Sequence, residues 1–385
     1  MRILLLTSVW KYKSSRNTVT SVINDYAYGY EALGHQVCIV HSRVKVPFMF
    51  LYRVKFIRRW LENRFALVVD DKKQDDKIVG VNIWRYWPRR PPLRISVKLT
   101  ARRINKALMK RGFFPDLIIS HWPNPNLLIS NKLCSYEQRT AINIQVFHDH
   151  RYVQQVDLAH ASLVGYRNYR IKAALLENGV KEVKTLSFNS SLDDVFLEDF
   201  QDILPSERKY DVIVVANFIK RKRVVELLDS PFLSNKKICL IGEGPEETEI
   251  TQLIELKGLD VVKLPWQTRR DLTDYYRNSK TFMLLSVDEA YGLVYLEAMS
   301  QGCYPIGCIN EGLEMILNGS SHGLLVPRDI NKFPIQLFEE LLKSKLPVKE
   351  LKEKARQHSK QLIAKELINQ ILSKTESNEF NFLQS

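Results

Sequence analysis

The sequence predicts an α/β protein built from two doubly wound, Rossmann-like domains. Three observations carry that expectation. Short apolar runs alternate with helical patterns from one end of the 385 residues to the other. The alternation restarts after an acidic, proline-containing stretch at 193–208. The length and the 45% hydrophobic content suffice for two cores rather than one.

In the first half, residues 2–9 read as a buried strand. The apolar stretch meets Lys11 and Lys13 without a small-residue cleavage site, so it is not read as a secretory leader. A helix is expected at 19–33, closed by Gly34, with strands at 36–41, 116–120, 142–147 and 184–188. The second half gives strands at 211–216, 237–241, 261–264 and 281–286, and helices at 223–228, 246–257, 269–278 and 292–301. The expected domains are 1–203 and 204–360, with 361–385 a C-terminal helix returning to the first domain. No stretch approaches the roughly 20 apolar residues of a spanning helix. Ligands of doubly wound sheets sit beyond the carboxyl ends of the strands, so the expected site is the cleft where the two domains face each other.

The formal net charge of +14 is local. Residues 43–111 hold 20 basic and 5 acidic side chains, and the remainder is close to neutral. That distribution indicates one contact surface for an anionic partner rather than a chain that coats polyanions, and no nucleic acid is expected. Residues 46–65 show an amphipathic pattern, with Met49, Phe50, Val54, Phe56, Ile57, Trp60 and Leu61 on one side and Lys55, Arg58, Arg59 and Glu62 on the other. Two readings stand. The helix packs its apolar side on a sheet, or it lies on an anionic bilayer with Lys55, Arg58, Arg59 and Trp60 as membrane-binding residues. The second reading makes the protein cytoplasmic and peripheral on the inner face of the cell membrane. The five cysteines, Cys38, Cys134, Cys239, Cys303 and Cys308, form no Cys-x-x-Cys pair and read as reduced, mostly buried thiols.

The most informative stretch is 286–326. Glu289 falls in the loop after a strand, and Glu297 about one turn inside the next helix. Between them Tyr291, Gly292, Leu293 and Val294 present backbone N–H groups at a helix start, the arrangement that accepts phosphate oxygens. The spacing of two glutamates recurs by chance; its neighbours give it weight. Ser286, Glu289, Gly292, Leu293, Glu297, Ala298, Met299, Gly302 and Pro305 together resemble the signature of retaining glycosyltransferases of family 4, on the GT-B fold, with its Glu-x7-Glu motif. The resemblance covers most of the chain apart from the basic, aromatic insertion at 45–112 and the extreme C-terminus. Gly242 and Gly244 match the family's Gly-x-Gly-Pro turn, which by itself reads as simple turn geometry. The family's diphosphate-binding Arg and Lys fall on Asn217 and Lys222, so the arginine is replaced here. Relatives carry Gly-Gly in the first loop, where this chain has no glycine between residues 11 and 20.

The resemblance implies a GT-B fold, two Rossmann-like domains facing each other across an interdomain cleft. It implies a retaining, metal-independent hexosyltransferase acting in bacterial surface polysaccharide synthesis. The donor would be a UDP- or GDP-linked sugar, which is a substrate and not a cofactor, and the acceptor a glycan or lipid-linked glycan. Lys222 would meet the departing diphosphate, Glu289 the sugar hydroxyls, His148 the reacting sugar and Glu297 the ribose. Tyr291, Gly292, Leu293, Val294, Asn217, Gly242 and Gly244 would complete the donor site, with His121 and Trp122 toward the acceptor. Packing at a strand end is the competing reading for His121, Trp122 and His148, and a solvated surface turn is the competing reading for the run from Lys220 to Arg223. Competing functions are an epimerase or phosphorylase on the same fold, and an inactive relative that binds membrane or nucleic acid.

Overall fold

Strand β1 (Arg2–Thr7) is buried over residues 3–7, which demands partners on both edges and cover on both faces. In the computed structural model it pairs in parallel with β2 (Gln36–Lys45) on one edge and β4 (Leu117–His121) on the other. The structure describes residues 1–8, 21–45, 78–84, 94–136, 141–155, 158 and 160–382. The predicted helix at 46–65, with Lys55, Arg58, Arg59 and Trp60, and the loop at 11–20 lie outside the described residues.

The chain divides into two units. The first comprises Met1–Tyr166, Ala173–Phe188 and Ala364–Ser385. Beyond β1, β2 and β4 it contains β3 (Ile78–Trp84), β5 (Ile142–Val146), β6 (Leu163–Tyr166) and β7 (Thr185–Ser187). Among the described residues these make a seven-stranded parallel sheet in the order β3-β2-β1-β4-β5-β6-β7. Helices α1 (Val22–Ala32), α2 (Arg94–Lys110) and α3 (Pro123–Cys134) belong to it, and α4 (Tyr169–Glu177) ends in it. Helix α1 stops where expected, with Gly34 at φ +81° and open space around it.

Two of these elements lie inside the stretch read as an insertion. Strand β3 is the sheet's edge, and α2 places Val97, Ala101, Ile104 and Leu108 against Leu4, Leu6, Val40 and Ile118. Positions 97, 101, 104 and 108 keep a helical period, but six basic residues in the same 17 dominate the composition. Helix α3 and strand β6 are also absent from the expected series. The start of α3, with prolines at 123 and 125, reads as a turn, although proline sits comfortably in a first helical turn.

The second unit comprises Arg167–Lys172 and Asn189–Ile363. Its strands are β8 (Tyr210–Val215), β9 (Ile238–Ile241), β10 (Val261–Leu264), β11 (Ser279–Leu284), β12 (Tyr304–Cys308) and β13 (Leu324–Val326). They form a parallel sheet in the order β10-β9-β8-β11-β12-β13. Helices α5 (Val224–Asp229), α6 (Glu247–Lys257), α7 (Arg269–Arg277), α8 (Leu293–Ser300), α9 (Gly312–Leu317), α10 (Ile335–Lys343) and α11 (Val348–Arg356) connect and cover it, and α12 (Lys360–Phe382) follows. Every strand and helix expected between 211 and 301 is present, with ends shifted by two residues at most. Thr268 caps α7 by accepting from the Asp271 N–H, which explains why that short, strongly charged helix begins where it does.

In each sheet the chain winds outward on one side and then restarts beside its first strand. The reversal falls between β1 and β4 in the first unit and between β8 and β11 in the second. Loops leaving the carboxyl ends of such strand pairs splay apart, and the crevice between them is where doubly wound sheets hold ligands. Cys38, Cys239, Cys303 and Cys308 are buried, and burial pushes each thiol above its ordinary value. Among the described residues no helix is long and apolar enough to cross a membrane.

Candidate functional site

At the second unit's reversal, the loop after β8 carries Lys222 and the loop after β11 carries Glu289. The two loops are joined by a hydrogen bond from the Val287 N–H to the Arg221 carbonyl, 2.8 Å. Lys222 Nζ makes an ion pair with Glu289 Oε2, and each residue is only 9% exposed. Arg221 reaches the same carboxylate oxygen at 3.6 Å and the Ser286 hydroxyl donates to it at 3.3 Å. Burial alone would push the Glu289 carboxyl up. The Lys222 ammonium, with Arg221 and Ser286, wins and holds it below the usual carboxylate range. The sequence reading set Lys222 and Glu289 on different parts of a ligand; the fold joins them to each other as well.

A carboxylate that sequence reasoning missed fixes this loop. Glu311, at the carboxyl end of β12 and 1% exposed, accepts the backbone N–H groups of Glu289 at 2.7 Å and Asp288 at 3.2 Å. Arg328 and Arg170 approach its Oε1 at 3.3 and 3.8 Å, and Arg170 also pairs with Asp288. Burial raises the Glu311 carboxyl, and those two N–H groups and two guanidinium groups oppose the rise. From the other side the Asn168 amide donates to the Glu289 carbonyl at 2.9 Å. The backbone around Glu289 is thus held at three polar atoms, the N–H groups of Asp288 and Glu289 and the Glu289 carbonyl.

The loop runs directly into α8. Gly292 takes φ +77°, and a Cβ there would sit 2.7 Å from the Tyr295 ring, whose hydroxyl is tied to the Leu284 carbonyl at 2.6 Å. Only glycine fits. The Tyr295 N–H already bonds to the Gly292 carbonyl, at 3.0 Å. Among the described residues the N–H groups of Gly292, Leu293 and Val294 meet no backbone or side-chain acceptor, so the start of α8 offers three donors beside the Lys222–Glu289 pair. Tyr291 contributes differently from the others: its ring is buried, under the Arg167 guanidinium and next to His358, and it anchors the loop.

Glu297 lies one turn further into α8 and accepts from the Tyr276 hydroxyl of α7 at 3.1 Å. Burial pushes its carboxyl up to about 7, opposed by Arg269 and Tyr276. A free glutamate ionises near 4.5, so between these values the folded protein keeps a proton that the unfolded chain has released. Stability contributed by the neutral acid therefore falls as pH rises through that window and stays lowered above it. Glutamine cannot ionise. Glu297→Gln is expected to melt with wild type at the acid end of the window and several degrees above it at the alkaline end. A thermal-denaturation series in which both proteins keep the same difference at every pH would contradict the assignment.

Asn217, Gly242 and Gly244 form a separate arrangement beyond β8 and β9. A Cβ at Gly242 would lie 1.9 Å from the Ala216 carbonyl oxygen, and one at Gly244 would lie 2.4 Å from that of Phe218. The Phe218 N–H bonds to the Glu243 carbonyl and the Gly242 N–H to that of Leu264. These glycines let two loops interlock, and the Gly242 donor is already engaged in the strand ladder. Asn217 is exposed at the tip of this turn.

In the first unit, His121 ends β4 beside the reversal with Trp122 next to it at the start of α3, and His148 follows β5. His121 Nδ1 and His148 Nε2 are 3.2 Å apart. The Trp122 indole stacks on the His148 ring, with centroids 4.2 Å apart and planes 7° from parallel. His121 is buried against Tyr26, stacked at 5.3 Å, and against the edge of Phe188 at 5.4 Å. Trp122 takes φ +56°, a conformation a bulky residue adopts only when held. The Asn126 amide holds it, donating to the carbonyls of His121 at 2.6 Å and Trp122 at 3.2 Å. His121 is thus a packed histidine, while His148 and Trp122 keep partly exposed faces.

Residues 195–359 match the family described as Glycosyl transferases group 1. N-acetyl-alpha-D-glucosaminyl L-malate synthase of Bacillus anthracis is 30% identical over 125 residues, which are 31% of this chain and 32% of that protein. The chain spans about a third or less of the curated relatives it matches. Among solved structures, the apo form of the lipopolysaccharide outer core galactosyltransferase WaaB has a TM-score of 0.69 at 16% identity, covering 97% of this chain and 100% of that one. Anabaena Alr3699/HepE in complex with UDP and glucose has a TM-score of 0.56 at 15% identity, covering 100% of both chains. Identities this low speak to the fold, and the fold is the two-domain α/β architecture expected from the sequence, GT-B.

Proposed function

From residues 195–359 as a glycosyl transferases group 1 domain, we propose that the protein transfers a sugar, with retention, from a nucleoside diphosphate donor to a glycan acceptor. The observation that carries this reading is the convergence at one sheet reversal of a buried lysine, a buried glutamate and three open N–H donors at a helix start. As the bond from the sugar C1 to the phosphate oxygen breaks, its electron pair leaves on the diphosphate. Lys222 and the start of α8 stabilise that growing negative charge. The acceptor hydroxyl oxygen bonds to C1, and its proton leaves with the phosphate.

Glu289 keeps Lys222 neutralised before the donor arrives, and its second oxygen serves sugar hydroxyls. Glu297, with its carboxyl near neutrality, faces the ribose. His148 and Trp122 offer an imidazole and a flat aromatic face for the sugar and acceptor. No resident metal or cofactor takes part. The finer reading makes the acceptor a lipid-linked glycan at the inner face of the cell membrane, in polysaccharide synthesis.

A screen of UDP-, GDP- and ADP-sugars for acceptor-dependent nucleotide release tests the proposal. One donor class is expected to turn over, undiminished by chelator, and the product anomer is expected to match the donor. Release without any acceptor product, or inversion at C1, would contradict it.

A further inference from the structure

Helix α2 carries no acidic residue. Its inner side is core, but its outer side exposes Ile95 at 68%, Leu99 at 47% and Met109 at 48%. At roughly 3.6 residues per turn these three share one stripe with Arg102 and Lys106, flanked by Lys98, Arg103 and Lys110. All five cations are exposed, and among the described residues none pairs with a carboxylate. Single exposed aliphatic side chains are ordinary; three along the middle of a wholly cationic face are not the pattern of a solvated helix. Where the first turn of α2 meets α3 there is a cleft of about 310 Å³ lined by Arg94, Lys98, Lys132, His160, Val97 and Leu128. Cationic side chains there stand over an aliphatic wall.

We propose that the outer face of α2 docks on an anionic lipid bilayer, with the stripe of Ile95, Leu99 and Met109 entering the headgroup layer and the adjoining cleft receiving a lipid phosphate. Charge and shape select this occupant. A polyanion such as nucleic acid would use the cations and leave the central aliphatic stripe in water, whereas a bilayer surface satisfies both. The inference shares the membrane-surface part of the proposed function but uses different residues, and it rests on none of the donor-site chemistry.

The test is flotation of the full chain with vesicles of phosphatidylcholine, with and without phosphatidylglycerol. Parallel samples carry Ile95→Ser with Leu99→Ser and Met109→Ser, or Arg102→Glu with Arg103→Glu. Each set is expected to lower the fraction bound to anionic vesicles at least about tenfold while nucleotide release stays at the wild-type level. Leu99→Trp is expected to shift its fluorescence to the blue on mixing with the same vesicles. Wild-type binding by either variant set, equal binding to pure phosphatidylcholine, an emission spectrum of Leu99→Trp that vesicles leave unmoved, or displacement of vesicles by an oligonucleotide would overturn the proposal. An unmodified chain that floats with anionic vesicles but releases nucleotide from no donor would support the docking proposal and count against the enzyme reading.

Discussion

Lys222→Ala is expected to lower nucleotide release about a hundred- to thousandfold, the effect of removing one preorganised donor to a developing anion. Stability should fall as well. The substitution leaves Glu289 buried with Arg221 as its nearest remaining cation, at 3.6 Å, and breaking a buried ion pair from one side typically costs about 3–5 kcal/mol. With its largest opposing charge gone, burial then raises the Glu289 carboxyl. Wild type loses the Glu289 contribution as pH falls through its depressed value, whereas the variant, whose raised carboxyl keeps a proton that the unfolded chain releases, loses stability as pH rises. A neutral pair, Lys222→Met with Glu289→Gln, separates the two roles. It should recover most of the melting temperature and none of the turnover. Recovery of turnover in that double variant would show that the pair is only structural.

Gly312→Ala is the second large effect expected. The added Cβ would lie 2.0 Å from the carbonyl oxygen of Tyr291, and backbone cannot swing aside as a side-chain tip does. Overpacking of this kind costs about 1–3 kcal/mol, occasionally more. Here the relief available is a shift of the loop that ends in Gly292, so nucleotide binding should weaken together with stability. Gly258→Ala provides the control. It adds a Cβ at φ +59° with nothing within 4 Å, for a cost of about 1 kcal/mol and no effect on nucleotide binding. Calorimetric melting and nucleotide titration of both variants check the pair. Equal losses in the two would mean that close approach at Gly312 does not hold the loop.

The second unit was legible because its strands are short, apolar and bounded by turn residues, and because Glu289, Gly292 and Glu297 sit within nine consecutive positions. What the sequence hid are relations between distant positions. Lys222 and Glu289 are 67 residues apart, and neither residue's neighbours announce that they neutralise each other. Glu311 binds main-chain N–H groups, which every residue but proline carries, so its role leaves no mark on the composition; a lone acid at the end of a strand, followed by the glycine that lets the loop approach, is the only local sign. Helix α2 was masked by its own surface. Its core positions obey a helical period, but a stretch marked by its positive charge reads as an insertion for a partner, whereas α2 within it covers the sheet and β3 extends the sheet. The stacked Trp122 and His148 depend on a left-handed backbone at Trp122 that no bulky residue advertises.

The most direct test of the account is a crystal structure of the protein with a nucleoside diphosphate, using UDP, GDP and ADP in turn. The account predicts diphosphate oxygens within hydrogen-bond distance of the Leu293 and Val294 N–H groups and of Lys222 Nζ. A well-ordered nucleotide bound elsewhere, with those three donors still facing solvent, would contradict it.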